Sequence, residues 1–212
     1  MLSIYLATLA GVVLAQISPG PNLLAVASAA LGQGRRAALF VTLGVATAIF
    51  AWVSMASVGL AALFTAFPSL LMIMKMVGGL YLSYLAVKAL RSSLGSDRRL
   101  AIDSREVAMS SMTAWRKGLF VNLTNPKSGL MWCAVTTLLF GAGLSTWQVL
   151  AFAPVGFLSA LAVYGTYSVL FSMGRVRESY ARVARCVEGA FGLAFGALGG
   201  SLLLSGLRDL TR

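Results

Sequence analysis

The chain has 212 residues, 58% of them hydrophobic and 11% charged, and a mean hydropathy of +0.85; soluble domains carry about 25% charge, so this composition describes an integral membrane protein. The net charge of +11 would suit nucleic acid, but Lys and Arg fall between apolar runs, as in the cytoplasmic loops of a membrane protein, and no nucleic-acid partner is expected. No histidine is present, which removes histidine catalysis and histidine metal ligation, and Cys133 and Cys186 form no motif and read as small buried apolar residues.

No charge occurs over residues 1–34, 37–74 or 128–174, and one helical crossing needs about 20 apolar residues. The first predicted helix, 3–32, is interrupted at Ser18-Pro19-Gly20-Pro21-Asn22. Val13-Leu14-Ala15 resembles a cleavage site, yet no positive charge precedes it and the apolar run continues, which predicts an uncleaved helix. Pro19 and Pro21 have no amide hydrogen, so the carbonyls of Ala15 and Ile17 lose their helical partners. Pro21 then suits the first position of a restarted helix, with the amides of Asn22 and Leu23 left free.

The second helix is predicted over 37–64 and the third over 69–91, with a turn at Pro68. Lys75, one turn into the third helix, is expected to snorkel towards the headgroups. A polar, charged cytoplasmic loop spans 92–111. The fourth helix, 112–141, is broken at Asn125-Pro126-Lys127, where Asn125 suits an N-cap and Pro126 the first helical turn. After Gly141-Ala142-Gly143 the fifth helix covers 147–173 and the sixth 187–207. Glu188 opens the sixth beside Arg185. It reads as a helix-start acid, and it is also the carboxylate nearest a membrane segment that is placed for proton coupling. Gly192, Gly196 and Gly200 are spaced for close helix approach, either within the chain or across a homodimer face. Trp115 and Trp147 are expected at interfaces, and Trp52, Tyr81, Tyr164 and Tyr167 in the core.

Twelve Lys and Arg residues lie in the first, third and fifth loops, none in the other two, and Arg208 and Arg212 at the C-terminal end. The bias predicts cytoplasmic odd loops and both termini outside. The fold class that follows is an all-α integral membrane protein, one transmembrane domain over 1–212. Its six segments form two inverted three-helix repeats, 1–91 and 112–212, joined by the loop 92–111, with helices 1 and 4 broken at mid-membrane. Because bilayer hydrocarbon offers no water to freed backbone groups, paired breaks of this kind mark the binding site of a carrier. The restarted half-helices aim their positive ends at one spot, which suits a carboxylate, and Lys127 adds a formal charge there. The predicted substrate-binding residues are Gln16, Ser18, Pro19, Gly20, Pro21, Asn22, Asn125, Pro126 and Lys127. The freed carbonyls near Ala15 and Ile17, with Gln16, Ser18 or Asn125, are expected to meet the substrate ammonium.

The strings Ser18-Pro19-Gly20-Pro21-Asn22, Gly34-Arg35-Arg36-Ala37, Lys75-x-x-Gly78-Gly79-x-Tyr81-Leu82-x-Tyr84-Leu85 and Gly118-Leu119-Phe120-x-Asn122-Leu123-x-Asn125-Pro126-Lys127 together resemble the LysE/RhtB family of amino-acid exporters. The resemblance implies a bacterial inner-membrane carrier that exports amino acids or their derivatives against a proton gradient. Two stretches depart from the family pattern: the fourth helix ends in Leu138-Leu139-Phe140-Gly141, and residues 157–167 contain no aspartate, so the usual coupling carboxylate is missing.

The sequence therefore predicts a secondary transporter, not an enzyme, exporting a small amino acid by alternating access with proton coupling. No cofactor and no metal are expected; the partners are an amino-acid substrate and the lipid bilayer. Because no acid lies inside the membrane, a neutral amino acid is favoured over a cationic one. The rival readings are a membrane binding or assembly protein that does not transport, and a passive exporter of small solutes or ions.

Overall fold

The computed structural model describes residues 2–67, 69–94, 109–173 and 176–210, except the side chains of Ser92, Pro126, residues 176–185, Val187, Glu188 and Leu210. Most of the loop predicted over 92–111, and the Glu188 side chain proposed for coupling, lie outside this description. The described residues are mostly helical and form α1 (Leu2–Ile17), α2 (Pro21–Gln33), α3 (Arg35–Ala66), α4 (Ser69–Leu94), α5 (Ser111–Leu123), α6 (Pro126–Gly141), α7 (Thr146–Leu150), α8 (Phe152–Ser172) and α9 (Val176–Leu210).

Four stretches are each long and apolar enough to cross a bilayer: Arg35–Ala66, Ser69–Arg91, Thr146–Ser172 and Gly189–Asp209. The pair α1 and α2 becomes a fifth when taken together, bent by 51° at the proline break. The protein is thus a multi-pass membrane protein. Gly34 and Gly143 hold φ of 84° and 81° at the turns after α2 and α6, a left-handed conformation that a side chain would strain. A capping box opens α7, with Ser145 and Gln148 each bonding the other's backbone amide, and a turn at Ala151 separates α7 from α8.

Two helix pairs are fused by glycine. A Cβ on Gly44 would fall 2.0 Å from the Trp115 carbonyl oxygen, and one on Gly118 would fall 2.0 Å from that of Val41, so the backbones of α3 and α5 touch. On the other side α4 packs along α9, where Gly79 meets Leu203 and Gly199, and Gly192 meets Leu90 and Ala86. Small residues at such crossings let backbones approach closely, which replaces the missing hydrophobic drive within lipid. A buried aromatic set, Trp132, Phe152, Phe171, Phe191 and Phe195, belongs to the one core cluster.

Three expectations need correction. Lys75 does not reach outward: it is 5% exposed and its Nζ lies 2.7 Å from the Asp209 carboxylate, because α9 continues far enough to bring an acid back over α4. The last helix begins at Val176 rather than 187, since the arginine-rich stretch ends the apolar run without breaking the helix. Cys186 is exposed and Cys133 only half-buried. Trp115 donates its indole N–H to Thr47 Oγ1 at 3.3 Å, a contact between α5 and α3, and Trp147 is 80% exposed.

Candidate substrate site at the paired helix breaks

Helix α1 ends at Ile17 and α2 begins at Pro21, with Gly20 extended between them at φ −176° and no side chain capping α2. The chain does not unravel there: the Ser18 amide still reaches the Leu14 carbonyl at 3.0 Å and the Leu24 amide reaches that of Gly20 at 3.0 Å. Tyr167 of α8 donates its hydroxyl to the Ile17 carbonyl at 3.1 Å. That carbonyl, expected to be left for a substrate ammonium, is already engaged by the protein.

The second break is capped from within. Asn125 is extended and its side-chain oxygen accepts the Lys127 amide at 3.0 Å, while Pro126 occupies the first turn of α6. Asn thus satisfies one of the amides that a helix start leaves unpaired, and proline supplies a turn that needs none.

The two breaks face one another. Ala15, Gln16, Ser18, Gly20, Pro21, Asn22 and Leu23 from the first, and Asn125, Lys127, Ser128, Met131 and Trp132 from the second, line one small cavity, closed by Ile49 and Tyr164. The position of a Cβ on Gly20 lies 3.8 Å from Lys127 Nζ, so the absent side chain leaves room for the ammonium. The cavity holds about 30 Å³ of water-accessible volume, enough for a water molecule or two.

Several polar groups on this wall are buried and incompletely used. Gln16 donates to Ser159 Oγ at 3.1 Å, but its Oε1 has no partner among the described residues; the same holds for Asn22 Oδ1 and the Trp132 indole N–H. Leaving a buried polar atom unpaired costs about 1–3 kcal/mol, so three on one wall are evidence of a place that a polar ligand or water completes. Two are acceptors and one a donor.

Of the residues expected from sequence, Gln16, Ser18, Gly20, Pro21, Asn22, Asn125 and Lys127 meet at this cavity. Pro19 shapes the break without reaching the wall, and the Pro126 ring lies outside the described side chains. Ser128, Met131, Trp132 and Ile49 escaped sequence reading. For the first three a signal existed: they follow Lys127 at helical spacing, so a helix that starts at Pro126 turns them to the same side. Among the described residues no cluster of His, Cys, Asp or Glu is fit to hold a metal.

Comparison with known proteins places this geometry. The sequence model of the LysE type translocator family matches residues 13–206. The threonine efflux protein of Escherichia coli K12 is 28% identical over 97% of this chain and the whole of its own length. An uncharacterized membrane protein of the same strain, YahN, is 28% identical over 90% of this chain and 84% of its own, and the leucine efflux protein of Salmonella choleraesuis is 25% identical over 91% and 92%. No solved structure matches significantly. A match over nearly the full length, on a helical membrane protein whose two proline breaks share one cavity, shows that this chain belongs to the LysE type translocator family and is a transporter rather than an enzyme.

Proposed function

We propose that the protein exports a small neutral amino acid across the bacterial inner membrane by alternating access, with both termini in the periplasm. The observation that carries this reading is the meeting of the two helix breaks at one cavity that holds Lys127 and unpartnered amide oxygens. Zwitterions suit such a wall. The substrate carboxylate is held by the Lys127 ammonium and by the positive ends of α2 and α6. Its ammonium is held by Gln16 Oε1 and Asn22 Oδ1, with Ser18 and Asn125 beside them. The names of the threonine and leucine efflux relatives support an amino acid, and both substrates are neutral.

A cavity of about 30 Å³ is too small for an amino acid, so binding requires the walls to part, as alternating access demands. The six-crossing inverted repeat counts α1 with α2 and α5 with α6 as single broken crossings. Its support is that equivalent helices of the two halves pack together, α3 with α8 and α4 with α9. Rocking the α4 and α9 pair against the α3, α5 and α8 group would open the cavity to either side in turn.

The test is flux in liposomes containing the purified protein, with labelled threonine, leucine, glycine, glutamate and lysine, with and without a pH gradient. Neutral amino acids should cross faster than in protein-free liposomes, faster still with the gradient, and lysine should not. Flux at the protein-free rate for every amino acid contradicts the reading; gradient-independent exchange retires proton coupling alone.

A further inference from the structure

We infer that Phe191 of α9 is a positioning residue for Lys127, holding its ammonium at the Gly20 break so that a substrate carboxylate finds the charge already in place. Lys127 Nζ lies 5.2 Å from the centroid of the Phe191 ring, within the range where the negative face of an aromatic ring attracts a cation. Phe191 is 2% exposed, so this attraction acts with little water to weaken it.

The ring is itself fixed. Its centroid is 4.4 Å from that of Phe195, a fully buried residue whose ring edge lies 3.5 Å from the Cβ position of Gly11 in α1. At the other end of Lys127 the Tyr81 hydroxyl of α4 reaches the Lys127 carbonyl at 3.4 Å, and Asn125 holds the amide. Backbone and ammonium are therefore both gripped from the α4 and α9 pair. A lysine stem has four rotatable bonds and about 2 kcal/mol of rotamer entropy to lose. Where only a fraction of molecules presents the ammonium correctly, apparent affinity falls by that fraction. A ring attracts the ammonium without itself carrying a formal charge, so holding it at the break raises the fraction.

This role rests on the proposed transport site, and the experiment separates the two. Phe191 is replaced, by nonsense suppression, with mono-, di- and trifluorophenylalanine, which drain the ring face of negative charge while barely changing its shape. Flux of labelled threonine, with labelled leucine as a second arm, is measured alongside Lys127→Gln. The inference predicts that KM climbs with each fluorine, by about threefold to tenfold over the series, while maximal flux changes less. Phe191→Trp should keep a low KM and Phe191→Leu should lose it. A KM that stays flat across the fluorinated series, with Lys127→Gln inactive, overturns the role of Phe191 and leaves the site standing. A flat series with Lys127→Gln fully active overturns both.

Discussion

The Lys127 ammonium sits 3.8 Å from where a side chain would begin on Gly20, so residues from opposite halves of the chain share one point between two broken helices. The extended backbone at Gly20, with φ −176°, is open to any residue. What position 20 cannot spare is space. Gly20→Ala should cost about 1 kcal/mol or less in stability, the usual penalty for alanine at a helix N-cap, and lower flux a few-fold. Gly20→Leu should abolish flux while the protein still accumulates and melts as a folded species in detergent.

Glycines 44 and 118 should behave in the opposite way. Their Cβ positions fall 2.0 Å from backbone carbonyl oxygens of the facing helix, and backbone cannot step aside as a flexible side chain can. Gly44→Ala or Gly118→Ala should destabilise by about 3 kcal/mol or more through overpacking, seen as loss of folded protein from the membrane. Gly200, with nothing within 4 Å of its Cβ position, should accept alanine with no change in melting temperature.

The Lys75 and Asp209 pair predicts an asymmetry. Lys75 has a side chain 6% exposed, lying along Gly141 and Gly206, whereas Asp209 is 38% exposed. Asp209→Ala strands a buried ammonium and should cost about 3 kcal/mol. Lys75→Met leaves a carboxylate that water can reach and keeps the packing, so it should cost about 1 kcal/mol or less. Thermal unfolding of the two variants in detergent checks the order; equal shifts would show that the pair is not buried as described.

Trp132 offers a test of the cavity wall. Its indole N–H is buried and has no partner among the described residues, so Trp132→Phe removes an unsatisfied donor together with some packing. Stability should change by no more than about 1 kcal/mol. KM for the transported amino acid should rise about fivefold, because the N–H is then unavailable to the substrate.

Much of this was legible in the residues. Proline lacks an amide hydrogen whatever surrounds it, so Pro19, Pro21 and Pro126 fixed where α1 ends and where α2 and α6 begin. Glycine turns and charge-free runs placed the other apolar helices to within a few residues, except the last, which begins eleven residues before its apolar run. Tertiary relationships were not legible, since a sequence lists neighbours along the chain and not across it. Nothing in Lys75 announces that the last turn of α9 returns an acid to it, nor in Ile17 that Tyr167 occupies its carbonyl, nor in Phe191 that its ring faces Lys127. The glycine stripe shows the same limit: Gly192 packs inward on α4 while Gly200 faces open space, although the spacing treats them alike.

The most direct test of the account is the flux of wild-type protein and Lys127→Ala, reconstituted at equal density and compared across the same panel of amino acids. Replacing a charge that holds the substrate carboxylate should lower flux about 10- to 100-fold, with the melting temperature little changed, and Lys127→Arg should fall between. Equal flux through both proteins for every amino acid would contradict the assignment of the site.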